Sequence, residues 1–186
     1  TSFLQDKLGE RIFPEGVTVT DDPRRKRGLA SKPFDGEGLA NPAIDFIEDG
    51  VLTAWVLDLG SARKLGLESK GRASRGVSGP PAPSTTNLYL APGKLSRAEL
   101  LAGVEEGFYV TEMIGMGVNG VTGDYSRGAA GFWIENGELA DPVSEVTLAG
   151  NLKQMFLELT PADDLQFLYG SNAPTLRIDG MTLAGS

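Results

Sequence analysis

Apolar residues fall in short bursts along this chain, and three of the gaps between bursts contain an Asp-Gly or Asn-Gly pair. Residues 44–48 and 51–57 flank Asp49-Gly50, 132–134 and 139–143 flank the stretch around Asn136-Gly137, and 175–178 and 181–183 flank Asp179-Gly180. A two-residue type I′ turn needs positive φ at both central residues, so each pair predicts a β-hairpin. Further β-branched or aromatic runs predict strands at 17–20, 87–90, 108–114, 146–148 and 165–169. Helical spacing is rarer. Ser96 and Glu99 form a capping-box pattern ahead of Leu100, Leu101 and Val104, with Gly107 as the expected stop. Residues 151–159 place Leu152, Met155, Phe156 and Leu159 on one helical face, and Pro161 follows. Residues 59–67 suit a short helix or a turn, and Ser2 with Gln5 predicts a brief N-terminal helix stopped by Gly9 and Pro14.

About ten strands and two or three short helices predict a mainly β (β-rich α+β) fold, an antiparallel barrel or a layered sheet with peripheral helices. No repeat and no linker divides the 186 residues, so the expectation is one domain spanning 1–186.

Glycine concentrates in one place. Gly115, Gly117, Gly120, Gly123, Gly128 and Gly131 lie within seventeen residues, and glycine is entropically costly to order. Such density predicts unusual backbone angles or close backbone approach, and a tight loop there. Gly115-x-Gly117-x-x-Gly120 has the letters of a dinucleotide fingerprint, but that motif works only when a helix follows to receive the pyrophosphate. Residues 121–128, VTGDYSRG, are turn formers. No Gly-Lys-Ser/Thr ends the segment, so it is not a P-loop either. Its polar side chains are Asn119, Asp124, Tyr125, Ser126 and Arg127. Two readings stand open. Either Arg127 receives a carboxylate from a peptide or partner, oriented by Asp124 or Tyr125, or Arg127 pairs with Asp124 to fasten the loop while Tyr125 packs.

Two other segments carry charge. Residues 24–27 are Arg-Arg-Lys-Arg beside Asp21 and Asp22, a run that is either solvated or contacts an anion or partner. Residues 70–86 are rich in Gly, Pro and Ser and carry Lys70, Arg72 and Arg75 with no acid. So long a loop either lines a cleft, with Arg72 and Arg75 touching a peptide or partner, or is a flexible surface loop.

Composition narrows the chemistry. The net charge is −8, opposite to that of a phosphate-gripping surface, so direct nucleic-acid binding is not expected. No apolar run approaches the ~20 residues of a membrane span, and the N-terminus has no signal-peptide core, so neither membrane nor secretion is expected. The first residue is not Met, which suggests a fragment. There is no Cys, which fits a cytoplasmic location, and no His. Without them there is no His-based triad, no Cys nucleophile and no His- or Cys-ligated metal within these residues. Ser61-x-x-Lys64 has the spacing of a serine acyltransferase dyad, but the companion Lys-Thr-Gly and Ser-Asp-Asn motifs are missing.

Long strings carry a resemblance. Residues 115–152, GMGVNGVTGDYSRGAAGFWIENGELADPVSEVTLAGNL, together with SFLQDKLGERIFPEGVTVTDDP, SKPFDGEG, ARKLGL, SGPPAPSTTNLYL and the ending NAPTLRIDGMTLAG, strongly resemble the C-terminal domain of the TldD/PmbA metallopeptidase family, on its PmbA/TldE side. The old label for that family is modulator of DNA gyrase. The resemblance implies a mostly β domain that follows an α/β N-terminal domain, absent from these residues. It implies pairing with a TldD-type metallopeptidase as a homo- or heterodimer that cleaves peptides, including a bacteriocin leader peptide and an unfolded antitoxin. In TldD the zinc is held by an H-E-x-x-x-H helix upstream of this region and a Cys near the C-terminus. Residues 165–174, LQFLYGSNAP, lack that Cys. The resemblance therefore implies the non-metal subunit: no catalytic residue and no cofactor in this chain, with zinc expected in the TldD-type partner. The alternative is a self-associating β-rich binding domain with no part in proteolysis. A remote third reading makes Ser61 and Lys64 an independent enzyme.

Overall fold

The computed structural model describes residues 2–185. The strands are β1 (Val19–Asp21), β2 (Ile44–Glu48), β3 (Val51–Leu52), β4 (Ala73–Ser74), β5 (Ala82–Pro83), β6 (Leu88–Leu90), β7 (Glu106–Ile114), β8 (Asp124–Glu135), β9 (Glu138–Asn151), β10 (Leu159–Pro161), β11 (Ser171–Asn172), β12 (Leu176–Ile178) and β13 (Thr182–Ala184). Three short helices intervene: α1 (Leu59–Leu65), α2 (Arg97–Ala102) and α3 (Leu152–Leu157). Two sheets dominate, one in the order β11-β6-β1-β2-β3 and one in the order β13-β9-β8-β7. They are layered and do not close into a barrel, so the layered alternative holds.

The first sheet buries Ile12, Phe13, Val17, Ile47, Leu52 and Leu90 together with Leu159 of β10. The second buries Ala129, Val146 and Leu148 beneath Phe108, Val110, Met113, Met181 and Leu183. Helix α3 joins them. Asn151 ends β9 and caps α3, its side chain accepting from the Lys153 N–H. Phe156 of α3 then stacks on Phe13 with ring centroids 4.6 Å apart.

Two of the three expected hairpins form. Asp49 and Gly50 have φ of 48° and 80°, and Asn136 and Gly137 have 52° and 84°, as a type I′ turn requires. The second hairpin is far longer than its apolar flanks suggested, because β8 and β9 continue through glycine and polar positions. The third does not form: β12 pairs with β10, and β13 with β9. Gly180 alone takes positive φ, 74°, so the chain steps between sheets there instead of folding back.

Other differences have local causes. Residues 165–169 are not a strand; Phe167 spends its ring against Tyr89, edge-on at 5.2 Å. Ser2 caps a turn, not a helix, accepting from the Leu4 N–H. Helix α2 has the expected capping box but ends at Gly103, and Gly107 lies inside β7. Helix α1 forms with Asp58 as its N-cap, and Gly66 closes it at φ 67°. Among the described residues no helix is long and apolar enough to cross a membrane.

Candidate partner-contact site

The glycine-dense segment divides. Gly128 and Gly131 belong to β8, and only 115–123 is a loop. That loop carries the β7–β8 hairpin past the end of its strands. The Ser126 N–H donates to the Gly117 carbonyl at 2.7 Å, Val118 bridges Tyr125, and the Asn119 N–H donates to the Asp124 carbonyl at 2.8 Å. Gly117 is needed for this approach: a Cβ there would stand 1.6 Å from the Ser126 carbonyl oxygen. Gly123 is needed for its angle, φ 86°.

Short-range polar contacts hold the loop from inside. Asn119 Oδ1 accepts from the Val121 N–H at 2.9 Å, and the Gly123 N–H donates to the Asn119 carbonyl at 2.8 Å. Asp124 accepts from the Thr122 hydroxyl at 2.6 Å and from Asn151 Nδ2 at 3.0 Å. These two donors hold the Asp124 carboxyl below its ordinary pKa. Two backbone bonds tie the loop to other elements: Phe3 N–H to the Gly120 carbonyl at 2.9 Å, and Leu152 N–H to the Gly123 carbonyl at 2.7 Å.

With the backbone so satisfied, apolar side chains are left outside. Met116 is fully exposed, and Ile114, Val118 and Val121 are each more than half exposed. Residues 116–120 and 124–126 line an open concavity of about 590 Å³. Clustered exposed apolar groups on a fixed scaffold mark a contact surface.

Of the two readings of Arg127, the pair with Asp124 is not formed. Both lie in β8 three residues apart, and side chains alternate along a strand, so they occupy opposite faces. Arg127 stands across from Leu148, on the face that carries Ala129 and Val146. One of its terminal nitrogens donates to the Met113 carbonyl at 3.3 Å, while Nε is shielded without a partner. Tyr125 shares that face, half-buried; Ser126 shares the exposed face with Asp124.

Arg72 and Arg75 are not brought to this loop's contacts. Arg72 is 1% exposed. Its Nε meets Asp21 Oδ2 at 2.5 Å, and its terminal nitrogens donate to the carbonyls of Lys70, Gly71, Asp21 and Pro42. Thr86 supplies its N–H and its hydroxyl to the other Asp21 oxygen. Burial pulls the Arg72 guanidinium below its usual pKa, and Asp21 opposes that pull. An arginine so committed is an internal brace. Arg75 is exposed, just after β4.

Sequence reasoning missed Asn151, which clamps the loop across 27 residues of chain, and the outward apolar set. The alternation of Met116, Val118 and Val121 with glycines was a usable signal for the latter. Nothing local signals the former. Ser61 serves a cap: its N–H donates to Asp58 Oδ1 at 2.6 Å, and the Ser61 side chain and N–H together hold that carboxyl below its ordinary pKa. With no His or Cys, and no converging group of three acidic side chains among the described residues, these residues do not fit a zinc site.

Comparison with known proteins gives a consistent picture. The family model of the PmbA/TldA metallopeptidase C-terminal domain matches residues 1–185. Metalloprotease PmbA of Escherichia coli O157:H7 is 44% identical over 186 residues, covering 100% of this chain and 39% of that protein. Among solved structures, a putative modulator of DNA gyrase from Thermotoga maritima aligns with a TM-score of 0.87 at 34% identity, over 98% of this chain and 42% of that one. TldE from Thermococcus kodakarensis aligns with a TM-score of 0.86 at 25% identity, over 98% and 42%. The chain thus spans about two fifths of the length of the relatives it matches.

Proposed function

Because the chain belongs to the PmbA/TldD metallopeptidase family, through its C-terminal domain, we propose that it serves as the PmbA/TldE-type, non-metal part of a peptidase complex whose zinc and water activation belong to a TldD-type partner. The observation that carries this reading is the 115–123 loop, which is internally satisfied and presents Met116, Val118 and Val121 outward. A fixed apolar surface costs little entropy to dock. Arg127 keeps the remaining hydrogens of its two terminal nitrogens beyond the one given to Met113, enough to take a carboxylate from an extended peptide or from the partner. The residues here supply shape and positioning; any metal-activated water comes from outside them. The proposed setting is cytoplasmic.

A second reading rests on β7, a nine-residue edge strand that pairs only with β8 among the described residues. An open edge is a template for strand addition, and a self-associating domain with no part in proteolysis would use it.

Co-purification of the full-length protein with a TldD-type subunit separates the two. The proposal expects a stable heterocomplex, metal recovered with the partner, and peptide cleavage abolished by chelators. Recovery of homodimers alone, or chelator-insensitive cleavage by the purified protein without a partner, overturns it.

A further inference from the structure

Charge in this molecule is divided between two regions. Setting aside Arg72 and Asp21, which cancel each other internally, residues 22–37 and 70–86 hold seven basic and three acidic side chains, whereas the rest of the chain holds nine basic and twenty-one acidic. The two segments are packed together: the Gly36 N–H donates to the Ala73 carbonyl at 2.8 Å, Asp35 accepts from the Ala73 N–H at 3.2 Å, and Lys32 Nζ reaches the Ala73 carbonyl at 3.4 Å. They concentrate basic side chains on one packed pair of segments of an acidic protein, its basic face.

The acids within that face are engaged by backbone N–H groups. Asp35 is buried and accepts from the N–H groups of Glu37, Leu39 and Ala73. Asp22 accepts from the Arg24 N–H, and Glu37 from the Leu59 N–H. Among the described residues, no ion pair engages Arg24, Arg25, Lys26, Arg27, Lys32, Lys70 or Arg75. The cations are also held in place. The Arg25 guanidinium lies 3.2 Å over the Phe167 ring, and that ring is braced by Tyr89. Arg27 sits at φ 60°, an uncommon conformation for an arginine. Buried Asn87 pins the loop by donating to the Asp22 carbonyl at 2.7 Å and accepting from the Ala30 N–H at 3.0 Å. Exposed apolar side chains stand close by: Leu29 and Phe34 lie next to the cations in sequence, and Leu168 and Tyr169 follow Phe167, the ring under Arg25.

We infer that this face docks an acidic protein segment in which Asp and Glu alternate with apolar residues. The unpaired guanidinium and ammonium groups match carboxylates, and Leu29, Phe34 and Leu168 match the apolar positions. A nucleic acid fits less well. It extends well beyond the ~8–10 Å over which salt screens charge, and would meet the acidic remainder of the surface. This face shares no residue with the 115–123 loop.

The test is fluorescence anisotropy of full-length protein with a labelled peptide of about fifteen residues alternating Glu with Leu and Tyr, at low and at physiological salt. Binding weakening with salt is expected, with affinity falling at least tenfold in R24E/K26E/R27E and by a smaller factor in R24Q/K26Q/R27N. The neutral variant guards against misfolding by charge reversal, and Asn tolerates the Arg27 backbone angle. The peptide with Lys in place of Glu should not bind. Equal affinity in wild type and both variants, no peptide binding at low salt, or tighter binding of a short DNA duplex lost in the same variants each overturns the proposal.

Discussion

In the 70–86 segment the arginine nearest the middle of the fold turns inward, and in the 115–123 loop the apolar side chains turn outward. Both segments are glycine-rich and both carry polar residues that look like a contact site in sequence. The first closes over a buried ion pair, Arg72 with Asp21, and its Lys70 and Gly71 carbonyls, with those of Asp21 and Pro42, finish the guanidinium's hydrogen bonds. The second satisfies its backbone by extending a hairpin and leaves Met116, Val118 and Val121 in solvent. One segment is scaffold and the other is surface. The difference lies in where backbone polar groups find partners, since a buried polar group must be satisfied.

The comparison breaks most visibly at Arg72. Arg72→Ala leaves Asp21 buried and uncompensated, and should cost about 3–5 kcal/mol, read as a fall in the denaturation midpoint. The double variant Arg72→Met with Asp21→Asn should recover part of that loss, because it removes the uncompensated charge and keeps an amide oxygen to accept from Thr86. A loss below about 1 kcal/mol for Arg72→Ala would place this pair with ordinary surface ion pairs.

Gly117→Ala comes next. Its Cβ collides with the Ser126 carbonyl and should cost about 1–3 kcal/mol, with faster amide exchange at Ser126. Gly120→Ala is the control: nothing lies within 4 Å and its φ is not positive, so stability should stay within about 0.5 kcal/mol. Equal effects at the two glycines would contradict the hairpin extension.

The smallest effect is at Asp124. Its folded pKa is depressed by Thr122 and Asn151. A depressed carboxylate contributes stability that is fully present above its ordinary value near 3.8 and is lost as pH falls through the lower folded value. Asp124→Asn should therefore make the acid limb of the stability–pH curve shallower below about pH 4. An unchanged acid limb would mean that the clamp to Asn151 contributes nothing.

Much of the fold was legible because its turns are local. Asp49-Gly50 and Asn136-Gly137 specify type I′ hairpins with neighbouring atoms only, and the Ser96–Glu99 capping box formed as read. Asp179-Gly180 has the same letters and failed, because β12 and β13 found partners in β10 and β9, far away in sequence. The glycine segment was legible as a place of close approach, and Gly117 bears that out. Its direction was not legible. Asp124 and Arg127 look like neighbours in a loop, but a strand puts them on opposite faces. Arg72 and Arg75 looked equivalent until Asp21, fifty-one residues earlier, claimed Arg72.

What remains is the proposed role of the 115–123 loop as a fixed surface for a protein partner. It is tested most directly by calorimetric titration of a TldD-type subunit with full-length protein carrying Met116→Asp and Val118→Asp. Both side chains are exposed, so the fold should survive, with stability within about 0.5 kcal/mol of wild type. Affinity should fall at least tenfold. Unchanged affinity in the folded double variant would contradict it.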